Sequence, residues 1–189
     1  MTVETKTNTT VFRNAEKLDN AGVIEQFKKA LSKVEFSKSE IEELSDIYAK
    51  NMVDKFIVSD GALEGTFGRQ GDILFWKKGS DMYEQEIKGV TKGNKTDRMV
   101  LQDGDSMTGD HRIVPLKGSN YTIYEGKFTP SFLKGKDGIY DFNKVTCRLL
   151  KIDKPFLVVH REHGNMAYPA GEYMICPQLD CETLDRMRD

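Results

Sequence analysis

The sequence predicts an α+β, mainly β chain: an N-terminal helical hairpin followed by a small antiparallel β-sandwich or barrel. Two observations carry that expectation. Up to residue 58, apolar residues recur at helical spacing; after Ser59-Asp60-Gly61, the glycines at 61, 65, 68, 71 and 79 break the chain into short apolar runs. The first pattern gives one buried stripe on each of two helices, and the second gives many short strands with little helix between them. The chain divides accordingly into an extended arm over 1–19, a helical hairpin over 20–58 and a β-rich domain over 59–189.

The arm is polar and rich in threonine, with no period. Asn20 can cap a first helix, along which Val23, Ile24, Phe27, Leu31 and Val34 fall at helical spacing. Ser37 and Glu40 then form a capping box, with Phe36 and Ile41 placed as a hydrophobic staple. Ile41, Leu44, Tyr48 and Met52 mark one face of a second helix reaching about residue 54. The short link predicts an antiparallel pair that covers part of a sheet.

Strands are expected at Ile73–Lys77, Tyr83–Ile87, Arg98–Leu101, Arg112–Leu116, Tyr121–Glu125, Val145–Ile152, Phe156–His160 and Tyr173–Ile175. Turns are expected at Lys92-Gly93-Asn94, Asp103-Gly104-Asp105, Lys117-Gly118-Ser119-Asn120 and Lys136-Asp137-Gly138. Tyr168-Pro169-Ala170-Gly171 has the proline and glycine placement of a type I turn. It is expected to join the histidine-bearing strand to Tyr173–Ile175 as a hairpin. Gly126–Asn143 is read as an excursion or flap, and Glu182–Arg188 as a short closing helix.

With 189 residues, the chain suits one core without metal or disulfide staples. Its net charge is −2, and its densest basic stretch, Lys77 to Arg98, is interleaved with Asp81, Glu84, Glu86 and Asp97. That mixture argues against a nucleic-acid footprint. The three cysteines, Cys147, Cys176 and Cys181, form no CxxC pair and point to a reducing compartment. The N-terminal residues lack the apolar core of a secretory signal. No run approaches the roughly 20 apolar residues that span a bilayer. A cytoplasmic protein with no membrane contact is expected.

The chain's three histidines fall in two clusters rich in carboxylates, Asp110-His111-Arg112 and His160-Arg161-Glu162-His163. Imidazole with carboxylate is the donor set that zinc, manganese and iron accept. The candidate metal ligands are His111, His160 and His163, with Asp110 or Glu162 as a further ligand or as general base. Against this stands a simpler reading, in which Arg112 and Arg161 pair with those carboxylates as surface ion networks. Cys147 reads as a small buried hydrophobe, and nothing local marks Cys176 as a nucleophile.

The order Arg69-Gln70-Gly71-Asp72-Ile73-Leu74, Gly104-Asp105-Ser106-Met107-Thr108-Gly109-Asp110-His111, His160-Arg161-Glu162-His163-Gly164, Tyr168-Pro169-Ala170-Gly171-Glu172-Tyr173 and Gln178 resembles a family of small, uncharacterised phage and bacterial proteins. The pattern of that family is a "QGD" strand, "GE-x-TGH-x-H", "HEEH", "P-x-G-x-Y" and a glutamine. The resemblance covers about residues 68–180 and implies a compact β-rich module, often phage-encoded. Asp105, Asp110 and Arg161 depart from the pattern, standing where it has glutamate, histidine and glutamate. Two functions follow as expectations. One is a phage-type accessory or assembly protein, in the host cytoplasm or the virion, that binds a protein partner or its own copies. The other is a metal-dependent hydrolase built on the histidine and carboxylate residues.

Overall fold

The computed structural model describes residues 20–51, 61–63, 65–102, 111–128, 130, 146–160 and 164–178. The arm over 1–19, the turns at 103–105 and 136–138, nearly all of the excursion beyond Phe128 and the closing helix over 182–188 lie outside these residues. Helices α1 (Asn20–Leu31) and α2 (Lys38–Lys50) come first. Among the described residues, eleven strands follow, interrupted by one short α-helix and a 3-10 turn. They are β1 (Gly61–Ala62), β2 (Phe67–Gln70), β3 (Ile73–Lys77), β4 (Val90–Thr96), β5 (Val100–Gln102) and β6 (His111–Pro115). Then come β7 (Tyr121–Phe128), β8 (Thr146–Ile152), β9 (Phe156–Val159), β10 (Met166–Tyr168) and β11 (Gly171–Pro177). Helix α3 (Asp81–Glu86) and a 3-10 turn (Ile87–Gly89) sit between β3 and β4.

The strands form two sheets, ordered β1-β10-β9-β6-β5 and β2-β3-β11-β8-β7-β4. Every pairing is antiparallel except β1 with β10. Side-chain alternation builds the layers. Ile113, Phe156, Val158 and Tyr168 from the first sheet meet Phe75, Ile123, Leu150, Ile152, Tyr173 and Ile175 from the second in one buried cluster. The described strands therefore form a sandwich of two sheets. The opposite faces are also covered. Leu157, Val159 and Ala167 pack under the helical hairpin with Phe27, Leu31, Leu44 and Tyr48. Met174, Cys176, Cys147 and Trp76 pack with Tyr83 of α3. This explains why β9 reads Phe-Leu-Val-Val with no polar position: both of its faces are buried.

The start of α2 follows its sequence signals, whereas α1 already includes Asn20, expected as its cap, and ends at Leu31, before Val34. The Ser37 side chain accepts from the Glu40 amide, and the Glu40 carboxylate accepts from the Ser37 amide, at 2.7 Å. Phe27 stacks on Tyr48, with ring centroids 4.4 Å apart. The Glu43 carboxylate accepts from the Lys117 amide and ties α2 to the turn after β6. Ser37→Ala is expected to cost about 1 kcal/mol. Thermal unfolding should read that as a fall of about 3 °C, and an unchanged midpoint would mean the box is dispensable.

Three local expectations are corrected. Tyr83–Ile87 is not a strand. Ser80 caps a helix there, its hydroxyl accepting from the Tyr83 amide at 3.1 Å, and Tyr83 and Ile87 lie four residues apart against the second sheet. Lys92-Gly93-Asn94 is not a turn but lies inside edge strand β4, where the register with β7 shifts between Lys92 and Lys95. A Cβ at Gly93 would sit 2.9 Å from the Glu125 carbonyl oxygen, so a larger residue would collide with the partner strand. The turn at 168–171 joins no hairpin. It carries the chain from β10 in one sheet to β11 in the other.

Candidate functional site

The candidate site lies at one end of the space between the sheets, and it is assembled from both. On β6, His111 shares the inward parity of Ile113. On the other sheet, β2 and β3 form a hairpin whose last pair is Gln70 with Ile73. Its two-residue turn is Gly71-Asp72, and Gly71 has φ 55°, in the left-handed region where glycine is unstrained. Ile73 points into the core, so its partner Gln70 does too, and Asp72 is held beside it. Two residues earlier, a Cβ at Gly68 would lie 2.8 Å from the Tyr168 ring. The close approach of the hairpin to β10 therefore needs glycine at this position. Burial pushes the Tyr168 phenol well above its ordinary value, with the Tyr173 phenol adding to the shift.

Gln70, Asp72 and His111 are all nearly inaccessible, at 2%, 2% and 3% exposure. The amide nitrogen of Gln70 donates to the carbonyls of Val158, at 3.0 Å, and Gly164, at 2.7 Å. That fixes its oxygen toward Nδ1 of His111, 3.1 Å away, and makes Nδ1 the donor. Nε2 of His111 faces the Asp72 carboxylate at 3.3 Å. Asp72 is anchored in turn, its carbonyl accepting from the Gln178 amide at 2.6 Å. His111 thus links both sheets through both ring nitrogens.

His160 comes beside it through the register of β6 with β9. Arg112 pairs with Val159, so His111 falls opposite His160, and the two rings stack with centroids 4.1 Å apart. The His160 amide donates to the Asn165 side chain at 3.3 Å across the connection to β10. The structure therefore brings together two of the three expected ligands, His111 and His160. His163, Glu162 and Asp110 lie outside the described residues. Arg112, expected as a partner of Asp110, donates at 3.4 Å to the Asn51 side chain at the end of α2.

Gln70 and Asp72 are the site members that reasoning on the histidines missed. A glutamine and an aspartate around a glycine read locally as an ordinary turn. The available signal was their membership of the "QGD" piece, whose other pieces include His111, His160 and Gln178.

Among the described residues, no group of three or more His, Cys, Asp and Glu side chains is placed to hold a metal ion. For His111 to ligate one, it must give up Gln70 or Asp72. As built, the arrangement can brace the sandwich end and hold His160 at its border. Among the described residues, no helix is long and apolar enough to cross a membrane.

A family model described as a domain of unknown function (DUF8820) matches residues 69–178. The match takes in Gln70, Asp72, His111, His160 and Gln178 and leaves the helical hairpin outside it. No curated protein and no solved structure matches.

Proposed function

The chain belongs to the DUF8820 family of domains of unknown function, and on that premise we propose that it is a non-catalytic accessory or assembly protein of phage type. Its β-sandwich binds a protein partner or a second copy of itself, in the host cytoplasm or the virion. The engagement of His111 carries this reading. A general base or metal ligand needs an available lone pair, whereas His111 meets Gln70 at one ring nitrogen and Asp72 at the other. A residue so held stiffens a scaffold. The stiffened end is the one from which the connections 103–110 and 161–163 depart. A net charge of −2 with mixed surface signs suits a protein partner better than nucleic acid.

A second reading draws on the stacked pair His111–His160. In it, His111, His160 and His163 hold zinc, manganese or iron, and Glu162 or Asp110 acts as general base on bound water. One experiment separates the two. Untagged protein, purified without chelator, is analysed for metals by mass spectrometry and for mass by light scattering, beside His160→Ala/His163→Ala. The assembly reading expects metal well below one equivalent in both proteins. It also expects either self-association or a monomer that binds one partner saturably. Stoichiometric metal that the double variant loses would overturn it in favour of the hydrolase.

A further inference from the structure

The second sheet carries a pair of nucleophilic side chains that the histidine site does not use. Strands β11 and β8 pair with Glu172 opposite Lys151, Met174 opposite Leu149 and Ile175 opposite Arg148. The next step of the same register sets Cys176 opposite Cys147. Both are free thiols, both are buried, and both belong to the apolar cluster between this sheet and α3, with Trp76, Tyr83 and Met174. Residues directly opposite in an antiparallel ladder have Cα atoms about 4.5–5.5 Å apart. That falls within the roughly 4.4–6.8 Å that a disulfide spans. Space for the sulfur comes from Gly126, which faces Cys147 from β7: a Cβ there would lie 3.0 Å from the Cys147 sulfur.

We propose that Cys147 and Cys176 form an oxidation site, a cross-strand dithiol that closes to a reversible disulfide by exchange with a small-molecule disulfide such as oxidised glutathione. The step balances. The Cys147 thiolate attacks one sulfur of the small disulfide and releases one thiol. Cys176 loses its proton and attacks the mixed disulfide at the Cys147 sulfur, releasing the second. The protein loses two protons and two electrons, and one disulfide molecule becomes two thiols. The order follows from the sulfurs themselves. A hydrogen bond from Cys176 pulls the Cys147 thiol down from its ordinary value, while burial pushes Cys176 up. Cys147 is therefore the better first nucleophile. Among the described residues, α3 and the short 3-10 turn cover the pair through Tyr83 and Ile87. Local opening of α3 exposes the pair to the reagent without unfolding the sandwich. Opposite Cβ atoms in a ladder lie about 4.5–5.5 Å apart, above the roughly 3.8 Å that a relaxed disulfide prefers. Closure therefore draws the strands slightly together, and a bond of this kind reopens readily with reductant.

The test uses the whole, folded wild-type protein, treated with oxidised glutathione and then alkylated. Cleavage before aspartate separates all three cysteines, into fragments 141–152, 153–179 and 180–184. The expected product is fragment 141–152 joined to 153–179, lighter by two hydrogens and released by dithiothreitol. Thermal unfolding of the oxidised protein should rise by about 5 °C. Glutathione retained on Cys147 or Cys176 would overturn the proposal. So would a link that involves fragment 180–184, or a 141–152 to 153–179 link that forms only in urea. Full alkylation of both thiols after the folded protein has been treated would also overturn it.

Discussion

Asp72→Ala is expected to lower the free energy of unfolding by about 3 kcal/mol, because it leaves one side of a buried polar ring facing apolar surroundings. The size follows from where the partners sit. Asp72 and His111 are both within the sandwich, their contact joins one sheet to the other, and water has little access to replace the lost oxygen. Asp72→Asn keeps an oxygen acceptor of the same shape, so its loss should be smaller, about 1 kcal/mol. Gln70→Ala should resemble Asp72→Ala, since it strands Nδ1 of His111 and the carbonyls of Val158 and Gly164 together. The double variant should lose less than the sum of the two, as members of one network do. Urea unfolding of these four variants beside the wild type reads all of this. If Asp72→Ala costs under about 0.5 kcal/mol, the range of an ordinary surface substitution, the brace is not a brace, and the support it gives to a scaffold role goes with it.

The legibility of this protein divides along a physical line. Where a segment carries its own signal, the sequence speaks: Ser37 and Glu40 announce α2, and Ile73–Lys77 and Phe156–Val159 announce strands by their apolar content. Where a segment is defined by its neighbours, the sequence is silent. Phe67–Gln70 contains a glycine and two polar residues and becomes a strand only because β3 lies beside it. Val90–Thr96 is polar and carries Gly93-Asn94, yet it pairs along the sheet edge, with the Lys92 ammonium 3.4 Å over the Tyr124 ring. Tyr83–Ile87 misleads in the other direction, because two apolar residues four apart satisfy a short amphipathic turn of helix. The same division governs the site. His111 and His160 stand out as rare residues, but that they meet depends on the pairing of β6 with β9. Gln70 and Asp72 are common residue types, and only the tertiary fold makes them partners of His111.

Phe156→Ala and Leu157→Ala, adjacent on β9, are expected to damage different interfaces. Phe156 faces the inter-sheet core, its ring 5.2 Å from Tyr168 and edge-on to Tyr173 at 5.4 Å. Truncating it opens a cavity lined by rings that cannot collapse far, and about 4 kcal/mol should be lost. Leu157 points the other way, into the cluster with Leu31, Leu44 and Tyr48, and its truncation should cost about 3 kcal/mol. Hydrogen exchange distinguishes the two. In Leu157→Ala, amides of α1 and α2 should exchange faster while those of β3, β8 and β11 keep their protection, because the helices lie outside the inter-sheet core. In Phe156→Ala, protection should fall in both sheets together. Equal loosening of both sheets by Leu157→Ala would make the hairpin and sandwich one cooperative unit. In that case the helical hairpin, although outside the residues 69–178 that the family shares, would be needed for the family module to stand.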